Sequence, residues 1–255
     1  MQTALPRAAL ADYESKSQQA RVATEAWAFK NLYCPNCSEP RLTQHPANTP
    51  AVDFQCPNCS ADFQLKAQSH GLAGKIVDAA YSSMVRKIRD NKTPNLFAMH
   101  YQRNEWKISN LILIPQFAFP LSAIEKRKPL GPNARRAGWV GCNILLDAIP
   151  LDARIPVVTN GKAIPSNHVR EQYARLRPLE KLSVEKRGWT LDVLNVVRML
   201  GKKEFNLAAV YAHETALARL HPGNHHVRDK IRQQLQVLRD ADLLKFLGHG
   251  EYRLR

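Results

Sequence analysis

The sequence predicts an α/β domain with a mixed sheet, followed by a small module of three helices and a β-hairpin. Helical and alternating apolar periods interleave over most of the chain, and two Cys-Pro-Asn-Cys motifs interrupt them early. From Trp189 onward the pattern changes to closely spaced helices and a short hairpin. The 255 residues are enough to bury roughly three-quarters of the unfolded surface, so one or two domains with their own cores are expected.

Residues 17–31 are rich in helix formers. Ala20, Ala23, Trp27 and Phe29 give an apolar face, and Ser17 is placed to cap the start. Between Cys34 and Cys59, Pro35, Pro40, Pro46, Pro50 and Pro57 break any long regular element. Residues 61–67 alternate as a strand, with Phe63 and Leu65 on one face and Asp62, Gln64 and Lys66 on the other. Over residues 75–90, Ile76, Ala80, Met84 and Ile88 recur at helical spacing and predict a helix. Residues 96–101 and 107–114 read as a strand pair, and 140–145 and 155–159 as two short strands completing the sheet. Between them, 115–139 reads as a basic, proline-bearing loop, and 165–185 as a linker or covering segment. Helices over 191–200, 207–220 and 228–238, then strands around Gly248-His249-Gly250, make the pattern of a winged helix. In that module the third helix enters the major groove and the hairpin touches the DNA backbone. A helical cap packed on the first domain is the competing reading.

The formal charge of +15, from 37 Lys+Arg against 22 Asp+Glu, points to a polyanionic partner. Both parts share it: residues 181–255 hold 14 Lys+Arg and 8 Asp+Glu. Nucleic acid is favoured over a membrane surface, because the basic residues do not form an amphipathic interfacial helix. Solubility alone is the plainer alternative. A hydrophobic fraction of 44% excludes a wholly disordered chain, and no apolar run approaches the ~20 residues of a membrane span. Met1 to Leu10 shows no signal-peptide pattern, so an intracellular, cytoplasmic location in a prokaryotic cell is expected.

Cys34-Pro-Asn-Cys37 and Cys56-Pro-Asn-Cys59 are separated by 18 residues. Four thiolates in two knuckles satisfy the tetrahedral preference of zinc, and with every ligand position a cysteine none remains for a reactive water. A structural Zn²⁺ held by Cys34, Cys37, Cys56 and Cys59 is therefore expected, in a zinc-binding segment 34–59. Cys142 is left over and reads as a buried thiol.

Asp53 precedes the second knuckle, and Gln64-Leu65-Lys66 follows it. An acid, a gap, then an acid or its substitute, one spacer and Lys is the layout of the PD-(D/E)xK nuclease core. In that chemistry Asp53 and the residue at 64 give oxygen ligands to Mg²⁺, and Lys66 positions or activates water beside the phosphate. Gln64 offers a neutral carbonyl oxygen where a carboxylate is expected, and Asp62, two residues earlier on the same face, is a candidate substitute. Asp53, Gln64 and Lys66 are the candidate catalytic residues, with Asp53 and Gln64 as magnesium ligands.

The chain resembles the DpnI-type methyl-directed type II restriction endonucleases over essentially its whole length. The resemblance is carried by Tyr33-Cys34-Pro35-Asn36-Cys37, Val52-Asp53-Phe54, Phe63-x-Leu65-Lys66, the run from Ala134 to Ile144, Arg187-Gly188-Trp189-Thr190 and the run from Lys230 to Asp240. It implies a PD-(D/E)xK nuclease domain and a C-terminal winged helix, both directed to double-stranded GATC sites carrying N6-methyladenine. It places Asp53 and Lys66 at the family's catalytic positions and Gln64 where the family has Glu. It assigns Trp139 to sensing the adenine methyl group, next to Arg135 and Arg136. In the winged helix, Arg232, Gln233 and Gln236 are the candidate base contacts, since Gln can pair with adenine and Arg with guanine. Arg228 and Lys230, with Lys245 and Arg253, are candidate phosphate contacts.

The expected organisation is a nuclease domain over 1–182 and a winged-helix domain over 183–255, in a monomer. The expected activity is that of a type II site-specific deoxyribonuclease using Mg²⁺. The alternative is a zinc-ribbon and winged-helix DNA-binding regulator whose nuclease core is inactive at Gln64. An RNA-directed module is a third possibility.

Overall fold

A computed structural model describes residues 1–7, 10–46, 52–72 and 74–255. Helix α1 (Lys16–Asn31) buries Ala23, Thr24, Trp27 and Ala28, and the Trp27 indole donates to the Gln2 carbonyl at 2.8 Å. Two details differ from expectation. Ser15 is the N-cap residue without capping the backbone; its hydroxyl and that of Ser17 bond each other instead. Phe29 is 51% exposed, because the buried stripe runs through Ala28.

The main sheet has seven strands. In chain order they are β1 (Thr43–Gln44), β2 (Phe54–Gln55), β3 (Asp62–Gln68), then β5 (Asn95–Gln102), β6 (Lys107–Ile114), β9 (Ile155–Thr159) and β10 (Lys162–Ala163), and they lie side by side in that order. β3 and β5 run parallel, while the other neighbours are antiparallel. The expected mixed α/β sheet is therefore present. Pro50, expected to break regular structure, lies outside the described residues.

Parallel neighbours need a crossover connection, and here it is strand β4 (Lys75–Ala80) followed by helix α2 (Tyr81–Arg89). The continuous helix expected over 75–90 is thus half strand. β4 pairs antiparallel with β8 (Gly141–Leu145), which also pairs with β7 (Ile124–Lys126), forming a separate three-stranded sheet. Contrary to the expectation for 140–145, β8 therefore does not join the main sheet; of the two short strands expected to complete it, β9 does. The apolar spacing of Ile76, Ala80, Met84 and Ile88 fits either period over so short a run, and strand pairing with β8 decides the first half.

The segment 165–185 is a covering element. It forms α3 (Ser166–Leu176) and a 3₁₀ turn (Arg177–Lys181). α3 buries Val169, Tyr173 and Leu176, and Tyr173 donates to Asn95 Oδ1 at 3.0 Å. Asn95, fully buried, also accepts from Gln116 N and donates to the Asp62 carbonyl, so this core polar group is satisfied.

Ser183 caps α4 (Val184–Met199) by accepting from Lys186 N at 3.3 Å. Beyond it lie β11 (Glu204–Asn206), α5 (Leu207–Tyr211), α6 (Glu214–Leu220), α7 (Val227–Asp240), β12 (Leu244–Gly248) and β13 (Glu251–Leu254). The single helix expected over 207–220 is broken at Ala212 and His213 into α5 and α6. The wing gains a strand, in the order β11-β13-β12. Its tip, Gly248-His249-Gly250, has positive φ at all three residues, a conformation that glycine adopts without a Cβ penalty.

Candidate active site, cysteine cluster and DNA-facing surface

The two knuckles bring Cys34, Cys37, Cys56 and Cys59 together with all sulfurs within 4.8 Å of one another. The Cys34–Cys59 and Cys37–Cys56 sulfurs are 3.6 and 3.5 Å apart, close to the roughly 3.8 Å edge of a tetrahedron with Zn–S bonds of about 2.3 Å. Asn36 donates to Cys59 Sγ and Asn58 to Cys37 Sγ, so each knuckle's asparagine supports a sulfur of the other. Burial drives the Cys34 thiol upward. Burial also acts to raise Cys37, but hydrogen bonds led by the Glu39 backbone, with Cys56, Cys34 and Asn58, hold it at about 7. Four thiols this close cannot all ionise without a cation between them, and the cluster can hold a zinc ion. Arg170 of α3 ties it to the domain, donating to the carbonyls of Cys34 and Glu39.

The second knuckle leads directly to the candidate catalytic residues. Asp53 N donates to Phe63 O, and Leu65 N donates to Asp53 Oδ2 at 2.7 Å. A side-chain oxygen thus takes the ladder position that a backbone carbonyl fills elsewhere, fixing the Asp53 carboxylate at the edge where β2 leaves β3. Asp53 lines a cleft of about 520 Å³ together with Glu25, Arg21, Leu65, His70 and Arg103. Desolvation raises the pKa of Glu25, Arg21 opposes this, and the Asp53 charge adds to it. Glu25 was missed by sequence reasoning, because one acid on a polar helix face carries no signal.

Gln64 and Lys66 alternate away from Leu65 to the other face of β3. Gln64 is only 7% exposed. The Lys66 ammonium lies 2.7 Å from Asp78 Oδ1 on β4, and the Asp78 side chain is 2% exposed. No hydrogen bond or ion pair joins Asp53, Gln64 and Lys66 directly among the described residues, and neither Gln64 nor Lys66 lines the Asp53 cleft. Asp62, the candidate substitute acid, is engaged elsewhere: its Oδ1 accepts from Gln55 Nε2 at 3.0 Å, and His45 Nε2 lies 3.5 Å away.

Asp78 sits opposite Cys142 on β8. Burial raises the Cys142 thiol to about 11, with Asp78 adding to the rise and Lys66 and Arg127 opposing it. The basic loop enters β8 at this point. Leu130 N and Trp139 O close its base, and Trp139 N bonds Arg136 O. Trp139 is half-buried and its ring covers Gly141, where an added Cβ would meet ring carbons at 2.7 and 2.8 Å. The Arg136 guanidinium stands 5.2 Å from the ring centroid. Arg135 and Arg136 are exposed.

In the C-terminal module α7 buries Val227, Ile231, Gln234, Leu235 and Leu238. Arg232, Gln233 and Gln236 are exposed on the other side and Lys230 is half-buried. Arg228 pairs with Glu214 and lies over Tyr211, while Arg253 pairs with Glu204, so both would have to exchange partners to meet a phosphate. Lys245 is exposed on the wing.

Residues 1–182 match the family described as Dam-replacing, and residues 185–254 match the Dam-replacing HTH domain. The chain belongs to the Dam-replacing family. Its two parts together cover nearly all of the sequence, in agreement with the resemblance to DpnI-type methyl-directed endonucleases. Membership in the Dam-replacing family supports a nuclease of the methylation-dependent restriction type, and the C-terminal match supports DNA binding. No helix among the described residues is long and apolar enough to cross a membrane.

Proposed function

We propose that this protein is a type II restriction endonuclease cleaving double-stranded DNA at GATC sites that carry N6-methyladenine, by Mg²⁺-assisted hydrolysis on a PD-(D/E)xK core. Residues 1–182 form the cleaving domain and 183–255 a second reader of the site. The observation that carries the reading is the 2.7 Å hydrogen bond from Leu65 N to the Asp53 carboxylate. It docks the candidate metal-binding acid on the strand that bears Gln64 and Lys66.

The carboxylates of Asp53 and Glu25, which line one cleft, suit a hard cation, whereas the neutral amide of Gln64 lies outside that cleft and would have to turn toward Asp53 to share the ion. When bound, Mg²⁺ would polarise the scissile phosphate and lower the pKa of attacking water. Lys66 supplies positive charge to the phosphate oxygens as the transition state forms. Zn²⁺ on the four cysteines has a structural part, holding the segment between Asp53 and β3.

Trp139 presents a flat apolar ring beside Arg135 and Arg136, suited to packing on a methyl group in the major groove. Arg232, Gln233 and Gln236 on the open face of α7 read base edges, and Arg228 and Lys230 hold phosphates.

Cleavage of a fully methylated GATC duplex, and not of its unmethylated twin, in Mg²⁺ tests the reading, with Asp53→Asn and Lys66→Ala as controls. Wild-type protein that binds the methylated duplex selectively but never cuts it would establish the regulator reading, which the neutral Gln64 favours.

A further inference from the structure

We infer that Asp78 is a positioning residue for Lys66, an inference that rests on the nuclease reading of that lysine. Asp78 lies on β4, where the inward positions are otherwise apolar: Ile76 is buried and Val77 between them is 58% exposed. A carboxylate at a core-facing position is costly to desolvate and needs a compensating partner. Its partner is Lys66, with the ammonium 2.7 Å from Oδ1, and that oxygen has no aligned hydrogen bond among the described residues. The attraction is therefore between charges, not through a directed bond.

Lys66 itself is 27% exposed at the side chain, so its stem leaves the core while its charge is drawn toward the buried acid. Residue 64, two positions earlier on the same face of β3, is neutral. Asp78 is consequently the carboxylate that fixes where the Lys66 ammonium rests before DNA arrives. Without it a four-carbon side chain would sample many rotamers, and a misplacement of about 1 Å at a reacting centre costs on the order of 100-fold in rate.

The test uses full-length protein, a labelled methylated GATC duplex and four variants: Asp78→Asn, Asp78→Glu, Lys66→Ala and the Lys66→Ala/Asp78→Asn pair. Asp78→Asn should slow single-turnover cleavage at saturating duplex by about 10- to 100-fold, while duplex affinity measured in Ca²⁺ changes less than about twofold. Asp78→Glu, which keeps the charge, should recover part of the rate. In the Lys66→Ala background Asp78→Asn should have no further effect, since a residue acting only through Lys66 has nothing left to position. Brief amine labelling read by peptide mass spectrometry should modify Lys66 several-fold faster in Asp78→Asn than in the wild type. Equal labelling, or an Asp78→Asn penalty that persists without Lys66, overturns the inference while leaving the nuclease reading intact. Wild-type protein that cuts no methylated duplex overturns both.

Discussion

The Asn36 side chain donates to the sulfur of Cys59 in the opposite knuckle at 3.5 Å, and Asn58 returns the contact to Cys37 at the same distance. Hydrogen bonds to ligand atoms tune metal affinity by about 10- to 100-fold. Asn36→Ala is expected to weaken zinc binding by about tenfold, measured by competition with a chromophoric chelator, with Asn58→Ala giving a similar loss. Chelating the metal altogether should lower Tm and abolish cleavage together, because the cluster holds the segment between Asp53 and β3. An unchanged Tm in chelated protein would contradict a structural metal.

Asp192 of α4 joins the two parts of the molecule. It accepts from Ser122 Oγ at 2.6 Å and meets His221 Nε2 at 2.8 Å, with its side chain 4% exposed. His221 in turn stacks on Trp189 at 3.7 Å between centroids. Asp192→Ala leaves two polar partners in a largely closed site and should cost about 1–3 kcal/mol, against about 1 kcal/mol for Ser122→Ala. Urea unfolding measures both; equal effects would show that the His221 contact adds nothing.

On α7 the exposed Arg232 and Gln236 and the half-buried Lys230 should separate by mechanism. Arg232→Ala and Gln236→Ala are each expected to lower discrimination between the correct site and a base-substituted one by about 1–3 kcal/mol. Lys230→Ala should weaken binding to all duplexes alike and reduce the salt slope by about one. Binding titrations of the isolated site at several salt concentrations distinguish the two, and a uniform loss for all three substitutions would deny base reading by this face.

Cys142, buried with its thiol pushed up to about 11 by burial and then by Asp78, should be inert in the folded protein. At pH 8 only about one thiol in a thousand would be ionised. Iodoacetamide should therefore modify Cys142 only after unfolding, as mapped by mass spectrometry. Because the folded pKa lies above the unfolded value, the stability that the neutral thiol supports is intact below about pH 9 and lost as the pH rises toward 11. Cys142→Ala should flatten that alkaline loss, and an identical alkaline profile would exclude the contribution.

Much of the fold was legible along the chain. The strand at 62–68 and the pair at 95–102 and 107–114 follow from alternation in runs with β-branched and aromatic residues, and α7 follows from its apolar stripe. β4 was not, because Ile76, Ala80, Met84 and Ile88 satisfy a helical spacing although the first two lie in or at the end of a strand. Asp62 is available by alternation alone, yet Gln55 on β2 already donates to it, with His45, just past β1, 3.5 Å away.

By itself the sequence determined the four-cysteine ligand spacing, the basic winged-helix module and the family, since ligand spacing, helical period and charge are properties of a linear chain. Tertiary structure decided which charged groups meet. Glu25 reaches the Asp53 cleft from α1, and Asp78 reaches Lys66 from a strand of a different sheet. Periodicity tells which face of an element is buried, whereas the partner of a buried face depends on crossovers and strand pairings that no local pattern encodes.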